Sequence, residues 1–296
     1  MRFPGNTGKA VQRGTPRTAT RVFKKWTVAV PGMIVAIYLL VALFGPVIAP
    51  YDPVATNLTD RLLCPGCETS SGSIAWLGTD ATGRDMFGQI VAGTRTSVLI
   101  GSLTVSLCAL VGLIIGLPAG YFGGLADLAL SRVIDILIAF PSIVLAIVVA
   151  GLFPRGLGVV VVALSLSGWV SFARLSRSAT MSTKEREWVA AARVMGVPAR
   201  SVLVRHVLPF LAGPMVALIA LEFGLIILGE AGLSFLGIGL PASTVSWGQS
   251  IASGKEYLAT AWWISAFPGI ALALLVIMVG LLGDQLNSRY QRGGSR

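Results

Sequence analysis

The chain has 296 residues, of which 54% are hydrophobic and only 12% are charged, and its mean hydropathy is +0.80. These values exclude a soluble domain of ordinary composition and indicate an integral membrane protein. The net charge of +10 comes from Lys and Arg residues that flank apolar segments and form no basic face with interleaved aromatic side chains, so the expected partner is a lipid bilayer and not nucleic acid.

The first 26 residues form a basic tail with few large apolar side chains, a composition that predicts disorder. Six apolar segments follow that meet or approach the length of about 20 residues needed to cross a bilayer. The predicted fold is therefore an all-α, integral membrane six-helix bundle over residues 27–286, followed by a short tail at 287–296. We place the spans at 27–49, 97–119, 133–153, 157–175, 210–238 and 262–283.

The distribution of Lys and Arg predicts the orientation of the bundle. Seven lie in the first 25 residues and seven more between residues 174 and 205, whereas residues 51–96 contain only three. Basic residues concentrate in loops that stay in the cytoplasm. We therefore expect a multi-pass protein of the cytoplasmic (inner) membrane, with both termini and the loop 176–209 inside the cell and the loop 50–96 outside.

Two cysteines lie in the outward loop as a Cys-Pro-Gly-Cys sequence. The outer side of a bacterial membrane is oxidising and Pro-Gly favours a turn, so Cys64 and Cys67 are a candidate disulfide, with two free thiols as the alternative. A zinc site would need further ligands, and His206, the only histidine, lies on the other predicted side of the membrane. No metal site is expected.

The outward loop continues through residues 77–85 to the start of the second span. Gly78 and Gly83 allow tight turns, and the charged side chains can form strong hydrogen bonds, so we predict a compact cap on the outer face; an ordinary solvated loop is the alternative. The charged residues of this predicted cap are Asp80, Arg84, Asp85 and Arg95. The run resembles the segment before the second span in C-subunit permeases of dipeptide, oligopeptide and nickel importers.

The cytoplasmic loop 176–209 contains three successive alanines, which favour a helix with little side-chain bulk. Gly196 suits the end of that helix and Pro198 the first turn of another, so a short helix-turn-helix is predicted. The pattern resembles the Glu-Ala-Ala, Gly, Leu-Pro signature of permeases of binding-protein-dependent ABC importers. Its positions here are Glu187, Ala190, Ala191, Ala192, Gly196, Leu208 and Pro209.

One position departs from that signature. Ala190 stands where the family has its leading Glu, although Glu187 lies about one helical turn earlier and could take its place. The resemblance extends over roughly residues 27–286. It weakens after Asp284, where the family pattern continues with Arg and Asp-Pro and this chain does not.

The resemblance implies a type I (MetI-like) permease fold and a role as one half of a heteromeric ABC importer. In this family the implied partners are a second homologous permease subunit, two ATPase subunits that grip the loop around Gly196, and an extracytoplasmic substrate-binding protein. This chain is expected to bind no cofactor itself, because ATP and Mg belong to the ATPase subunits. Dipeptides or short peptides are the expected substrate, with nickel, haem or another small solute as alternatives.

Three polar residues in the fifth span are the candidate translocation pathway: Glu222, Glu230 and Ser234. A carboxylate at membrane depth costs about 2.5–3.5 kcal/mol on insertion scales, so such a group is expected to face a cavity or a partner. The sequence is equally consistent with a lining of the central pathway and with an inter-helix hydrogen bond or a protonated, packed carboxyl group.

The sequence carries no catalytic constellation. Gly8-Lys9 and Gly254-Lys255 both lack the Ser or Thr of a phosphate-binding loop, and one histidine leaves no Ser-His-Asp set. An enzyme is therefore not expected, and a membrane-embedded enzyme is the weakest interpretation. A self-sufficient secondary transporter that couples protons through Glu222 or Glu230 is the stronger rival to an ABC permease.

Overall fold

A computed structural model describes residues 17–49, 52 and 55–293. The predicted all-α class is confirmed. The α-helices of the described residues are α1 (Arg17–Ile48), α2 (Met86–Phe122), α3 (Gly124–Ile138), α4 (Ser142–Leu152), α5 (Leu157–Lys184), α6 (Glu187–Val194), α7 (Ala199–Val202), α8 (Leu208–Phe235), α9 (Trp247–Gly254) and α10 (Trp263–Gly293). Two short antiparallel strands, β1 (Cys67–Glu68) and β2 (Ile74–Ala75), form a hairpin in the loop between α1 and α2.

Five helical segments of the described residues are long and apolar enough to cross a membrane. A sixth span results if α3 and α4, which are separated by a bend, are counted together. The five continuous segments are Val28–Gly45, Met86–Phe122, Leu157–Lys184, Ala199–Phe235 and Trp263–Ser288. The chain is thus a multi-pass membrane protein with five or six spans, in agreement with the predicted bundle.

The predicted third span, residues 133–153, is not one straight helix. α3 ends at Ile138, α4 begins at Ser142, and the two helices are bent by 83°. Pro141 lies in the break as the N-cap of α4, where the N–H that proline lacks would have no partner within the helix. The predicted span is therefore broken at Pro141, where a proline is expected to break or bend a helix.

The two predicted tails overlap helices of the structure. Residues 1–16 and 294–296 lie outside the described residues, but α1 already begins at Arg17 and α10 continues to Gly293. Residues 17–26 of the predicted tail are thus helical, and the disorder of residues 1–16 stays a prediction. Both helices continue past their apolar segments because nothing in the sequence stops them there, and Lys, Arg and Gln are good helix formers.

The interior has two main apolar clusters. The larger one lies between α2, α5 and α8 and is built around side chains such as Ile100, Phe172 and Leu233. The second lies between α1, α2, α8, α9 and α10 and surrounds Trp247, whose ring meets Tyr38 edge to face at 5.8 Å between ring centroids. Because α2 and α8 contribute to both clusters, these two helices hold the halves of the bundle together.

α2 and α5 approach each other most closely along a row of glycines in α2. A Cβ atom at Gly112 would lie 2.4 Å from the Cβ of Phe172, and one at Gly116 would lie 2.6 Å from the backbone oxygen of Ala173. Gly120, one turn further, lies equally close to the backbone of Arg177. Small residues of this kind let helices associate in lipid, where apolar burial gives no driving force.

Adding a methyl group to this contact is expected to destabilise the bundle. Gly116→Ala forces the α2 and α5 backbones apart, and overpacking of this kind costs about 1–3 kcal/mol. Gly280→Ala in α10 is the matched control, because nothing lies within 4 Å of a Cβ there. Thermal unfolding in detergent should show a lower Tm for Gly116→Ala and an unchanged or slightly higher Tm for Gly280→Ala; equal Tm values would contradict the contact.

Candidate coupling surface and translocation groove

The predicted helix-turn-helix in the loop 176–209 is formed by α6, a turn at Gly196, and α7. Gly196 has a φ of 78°, a left-handed conformation that favours glycine. Its N–H donates to the oxygen of Arg193 at 2.9 Å, and the N–H of Val197 donates to the oxygen of Ala192 at 3.1 Å. These two bonds form a Schellman motif, which satisfies the last carbonyls of α6 and holds the turn rigidly.

α6 has a buried face and an exposed end. Val189 and Ala192 are buried against the bundle, whereas Val194 is 89% exposed and Met195 is 75% exposed. We call the exposed set, Ala190, Ala191, Val194, Met195 and Gly196, the coupling surface. A Cβ at Gly196 would meet nothing within 4 Å, so the space above the turn is open.

The departure from the family signature lies on this surface. Ala190 is exposed, and Glu187 is also exposed in the first turn of α6. Residues three apart on a helix lie on the same face, so Glu187 places a carboxylate next to the position where the family has its Glu. Leu208 and Pro209 lie elsewhere: they begin α8, directly after a π-helical turn at Leu203–Val207.

Aromatic contacts join the coupling loop to the bundle. The guanidinium of Arg193 lies 4.7 Å from the centroid of the Tyr121 ring, at the end of α2. Trp188 stacks on Phe210, at the start of α8, with 5.3 Å between ring centroids and 22° between planes. Cation–π and aromatic contacts of this kind each contribute about 0.5–1.5 kcal/mol, so α6 is attached to both α2 and α8.

Two polar contacts fasten α5 to α3 and α2 near the coupling loop. Arg177 donates from two nitrogens to both carboxylate oxygens of Asp127 in α3. Lys184, the last residue of α5, donates from Nζ to the backbone oxygen of Gly120 at 2.9 Å. The ends of α2, α3 and α5 thus meet beneath α6. Sequence reasoning missed these contacts because the four residues involved are far apart in the chain.

The predicted cap lies at the opposite end of α2. Asp80 is buried, and its carboxylate accepts hydrogen bonds from Thr82, from the backbone and Nε of Arg84, and from Nε2 of Gln89, all at 2.8–3.0 Å. Gln89 in turn accepts from Ser250 Oγ at 3.1 Å, which links the cap to α9. A helix of 37 residues is about 55 Å long, so α2 separates the cap from α6 by a full membrane thickness.

Burial alone would raise the pKa of the Asp80 carboxyl. The hydrogen bonds from Arg84 and Thr82 and the charge of Arg84 outweigh this effect, so the pKa lies below its usual value. Asp85 caps α2 by accepting from the N–H of Gly88 at 2.7 Å. Arg95, also predicted for the cap, lies on an exposed face of α2 outside this network.

Close packing explains why two positions of the cap are glycine. Gly78 and Gly83 have φ of 77° and 76°. A Cβ at Gly83 would lie 1.8 Å from the backbone oxygen of Asn57, and one at Gly78 would lie 2.7 Å from Nε1 of Trp263. The same Trp263 nitrogen donates to the oxygen of Thr79 at 3.1 Å, which fastens the cap to α10. The cap is thus a packed element and not a solvated loop.

Cys64 and Cys67 are joined in a disulfide, with 5.4 Å between their Cα atoms. Cys67 begins β1, so the bond closes the base of the hairpin that projects from the cap. Cys108 is a buried free thiol in α2. Among the described residues, no group of three or more His, Cys, Asp or Glu side chains is arranged to hold a metal ion.

The three candidate pathway residues occupy two different environments. Glu222 is partly buried and lines a cavity of about 520 Å³ between α4, α5 and α8, together with Ser167 and Ser171. Glu230 is fully buried, where it accepts hydrogen bonds from Ser234 at 2.7 Å and Ser97 at 3.2 Å. Glu230 and Ser234 therefore form a packed polar contact between α8 and α2, and Glu222 alone lies in the cavity.

The cap should lose stability in acid. Because the native pKa of Asp80 is lowered, its ionised form adds stability that is present above its usual pKa and is lost as the pH falls through the native value. Asp80→Asn should lower the free energy of local opening by about 1–3 kcal/mol at neutral pH and abolish this pH dependence. Hydrogen exchange of residues 57–89 measures both effects. Glu68→Gln, which changes an exposed carboxylate nearby, should behave as wild type; identical exchange in Asp80→Asn would contradict the network.

The disulfide can be tested by alkylation of purified protein in a Cys108→Ala background. Cys64 and Cys67 should resist maleimide until a reductant is added, since only the free thiolate reacts. Cys64→Ser is the matched control, because it frees Cys67, which should then react without reductant. Reaction of both cysteines before reduction would exclude the bond.

Comparison with known proteins places the chain among transport permeases. It is 34% identical over 271 residues to the dipeptide transport system permease protein DppC of Alkalihalophilus pseudofirmus, covering 91% of this chain and 87% of that protein. It is 37% identical over 262 residues to the nickel transport system permease protein NikC of Escherichia coli strain K12, covering 88% and 92%. These relatives are transport permeases and not enzymes.

A permease chain of the inward-facing MetNI methionine ABC transporter shares the fold, with a TM-score of 0.57 and 18% identity over 69% of this chain and 97% of that one. The predicted MetI-like fold is confirmed. Residues 17–65 match the profile of the N-terminal TM domain of oligopeptide transport permease C. Residues 112–292 match the profile of the binding-protein-dependent transport system inner membrane component. The chain belongs to this family of inner membrane components of binding-protein-dependent transport systems.

Proposed function

We propose that this chain is the membrane-spanning permease subunit of an ATP-driven ABC importer that moves dipeptides or short peptides across the cytoplasmic membrane. The family membership supports transport, and the dipeptide permease relative supports the substrate class. The similarity covers 91% of this chain, so it includes the cap, the cavity that contains Glu222 and the coupling surface.

The observation that carries this proposal is the coupling surface. Val194 and Met195 are largely exposed at the end of a helix that is held rigidly by its Schellman motif and by contacts to α2 and α8. Adjacent exposed apolar side chains on a well-ordered element are typical of a protein interface. Its occupant is an ATPase subunit, whose groove would receive α6 and the turn at Gly196.

The remaining parts of the importer follow from this assignment. Both termini and the loop 176–209 lie in the cytoplasm, and the cap faces outward, where an extracytoplasmic binding protein delivers the substrate. A second permease subunit completes the pathway beside the cavity that contains Glu222. ATP and Mg are bound by the two ATPase subunits.

The mechanism transmits movement from α6 to the bundle. When the ATPases close on ATP, they displace α6, and its contacts with Tyr121 and Phe210 pull on the ends of α2 and α8. α5 follows because Lys184 and Arg177 are bonded to α2 and α3. α5 and α8 line the cavity that contains Glu222, so the same movement alternates the access of this cavity between the two sides.

Nickel is the second candidate substrate, because the nickel permease relative is 37% identical. Reconstitution of the complete complex in proteoliposomes distinguishes the possibilities. Uptake of a labelled dipeptide that requires ATP, the binding protein and both ATPase subunits is the expected result. Uptake of nickel and not of peptide would favour the second candidate, and uptake without ATPase subunits would indicate a secondary transporter.

Gly196→Asp should abolish ATP-dependent uptake and the stimulation of ATPase activity while the protein remains inserted. The change places a charged side chain in the open space of the coupling surface, where the ATPase must pack, and strains the left-handed turn. Gly237→Asp is the matched control, because Gly237 has a similar φ of 73° with nothing within 4 Å but follows α8 at the cap end. Normal coupling in an assembled Gly196→Asp complex would contradict the assignment of this surface.

A further inference from the structure

A continuous groove runs along one side of α5. The cavity of about 520 Å³ that contains Glu222 adjoins a second cavity of about 600 Å³ beside the break between α3 and α4. The two cavities share three lining residues: Ser142, Ser167 and Ser171. Both cavities are partly open to the outside of the protein.

The groove carries opposite charges at its two ends. Glu222 lines only the first cavity and Arg174 lines only the second. Among the described residues, neither side chain is paired with an oppositely charged group, and the three shared serines make no described side-chain hydrogen bond. Glu222 is partly buried, and a carboxylate at membrane depth is costly unless a partner group meets it. Arg174 is exposed at the cytoplasmic edge of the predicted fourth span, where its guanidinium is accessible to an anionic group. A ligand with an ammonium group and a carboxylate would meet both side chains.

We propose that this groove binds a short peptide with free termini, holding the ammonium group at Glu222 and the carboxylate at Arg174. This inference rests on the proposed importer function and narrows its substrate to short peptides whose two termini are both free. The serine hydroxyls lie between the charges, where they can donate to and accept from the peptide groups. Arginine suits the carboxylate end because its planar guanidinium can bind both oxygens.

The groove is long enough for such a ligand. The α5 residues that line it run from Leu164 to Arg174, which corresponds to about 15 Å along the helix axis. Two or three extended residues span about 7–10 Å, so a short peptide fits within this length.

The walls of the groove set no requirement for the side chains of the peptide. They are formed by apolar groups such as Phe140, Leu137, Ile143 and Leu225. Contacts with apolar walls are non-directional, so they accept many side chains with modest differences in affinity. The termini are therefore the part of the ligand that the groove recognises.

Protection of an engineered thiol tests this site without the binding protein. Ser171→Cys, in a Cys108→Ala background, places a thiol between the two charged side chains in the complete permease–ATPase complex. The rate of maleimide labelling is measured against the concentration of alanylalanine, N-acetyl-alanylalanine and alanylalanine amide. Alanylalanine should protect at concentrations about tenfold lower than either blocked form, because each lost ionic hydrogen bond weakens binding by about this factor or more.

Charge-neutral variants assign each terminus to its partner. Glu222→Gln should remove the preference for alanylalanine over N-acetyl-alanylalanine and keep the preference for alanylalanine over alanylalanine amide. Arg174→Gln should do the reverse. Glu256→Gln and Arg155→Gln, at exposed positions outside the groove, should leave both preferences unchanged. Ser167→Cys serves as a second reporter if the thiol at position 171 impairs assembly.

The outcomes separate this inference from the proposed function. Equal protection by all three peptides, or no protection at millimolar concentration, would overturn the inference that the groove binds the peptide. It would leave the proposed function standing if the wild-type complex still takes up dipeptide in an ATP-dependent manner. Absence of ATP-dependent dipeptide uptake in the wild-type complex would overturn both. Terminus-specific protection that each variant removes selectively supports the assignment.

Discussion

The backbones of two membrane-spanning helices, α2 and α5, come into direct contact along Gly112, Gly116 and Gly120. The other elements are arranged around this pair of helices. In lipid, apolar burial does not favour association of helices, so close packing and polar contacts must hold them together. The glycines let the ends of α2 and α5 come within reach of each other. Lys184 can then bond to the backbone of Gly120, and Arg177 to Asp127.

This contact links the two ends of the molecule. α2 begins at the cap, where Asp85 caps the helix and Gln89 binds Asp80, and it ends beneath α6, where Tyr121 meets Arg193. A displacement of α6 therefore reaches a helix that is fastened to the cap. The broken third span packs against both α2 and α5, and its bend borders the groove.

Local signals in the sequence predicted much of this arrangement. The apolar segments, the Ala-rich helix ended by Gly196, and the glycine turns of the cap each depend on neighbouring residues, and all are present. The break before Ser142 also follows a local signal, Pro141, whereas the burial of Glu230 depends on tertiary packing, which periodicity does not report. Ser167, Ser171 and Arg174 do carry a sequence signal: their spacing of four and three residues places them on one helical face.

The central claim is that an ATPase subunit covers the exposed end of α6 while the cap lies on the other side of the membrane. A photoreactive amino acid at Met195, in the complete importer in its native membrane, tests it most directly. Leu258 is the matched position, because it is 57% exposed near the cap. The account predicts crosslinking of Met195 to an ATPase subunit and no such product from Leu258. An assembled complex in which Met195 captures no ATPase subunit would contradict it.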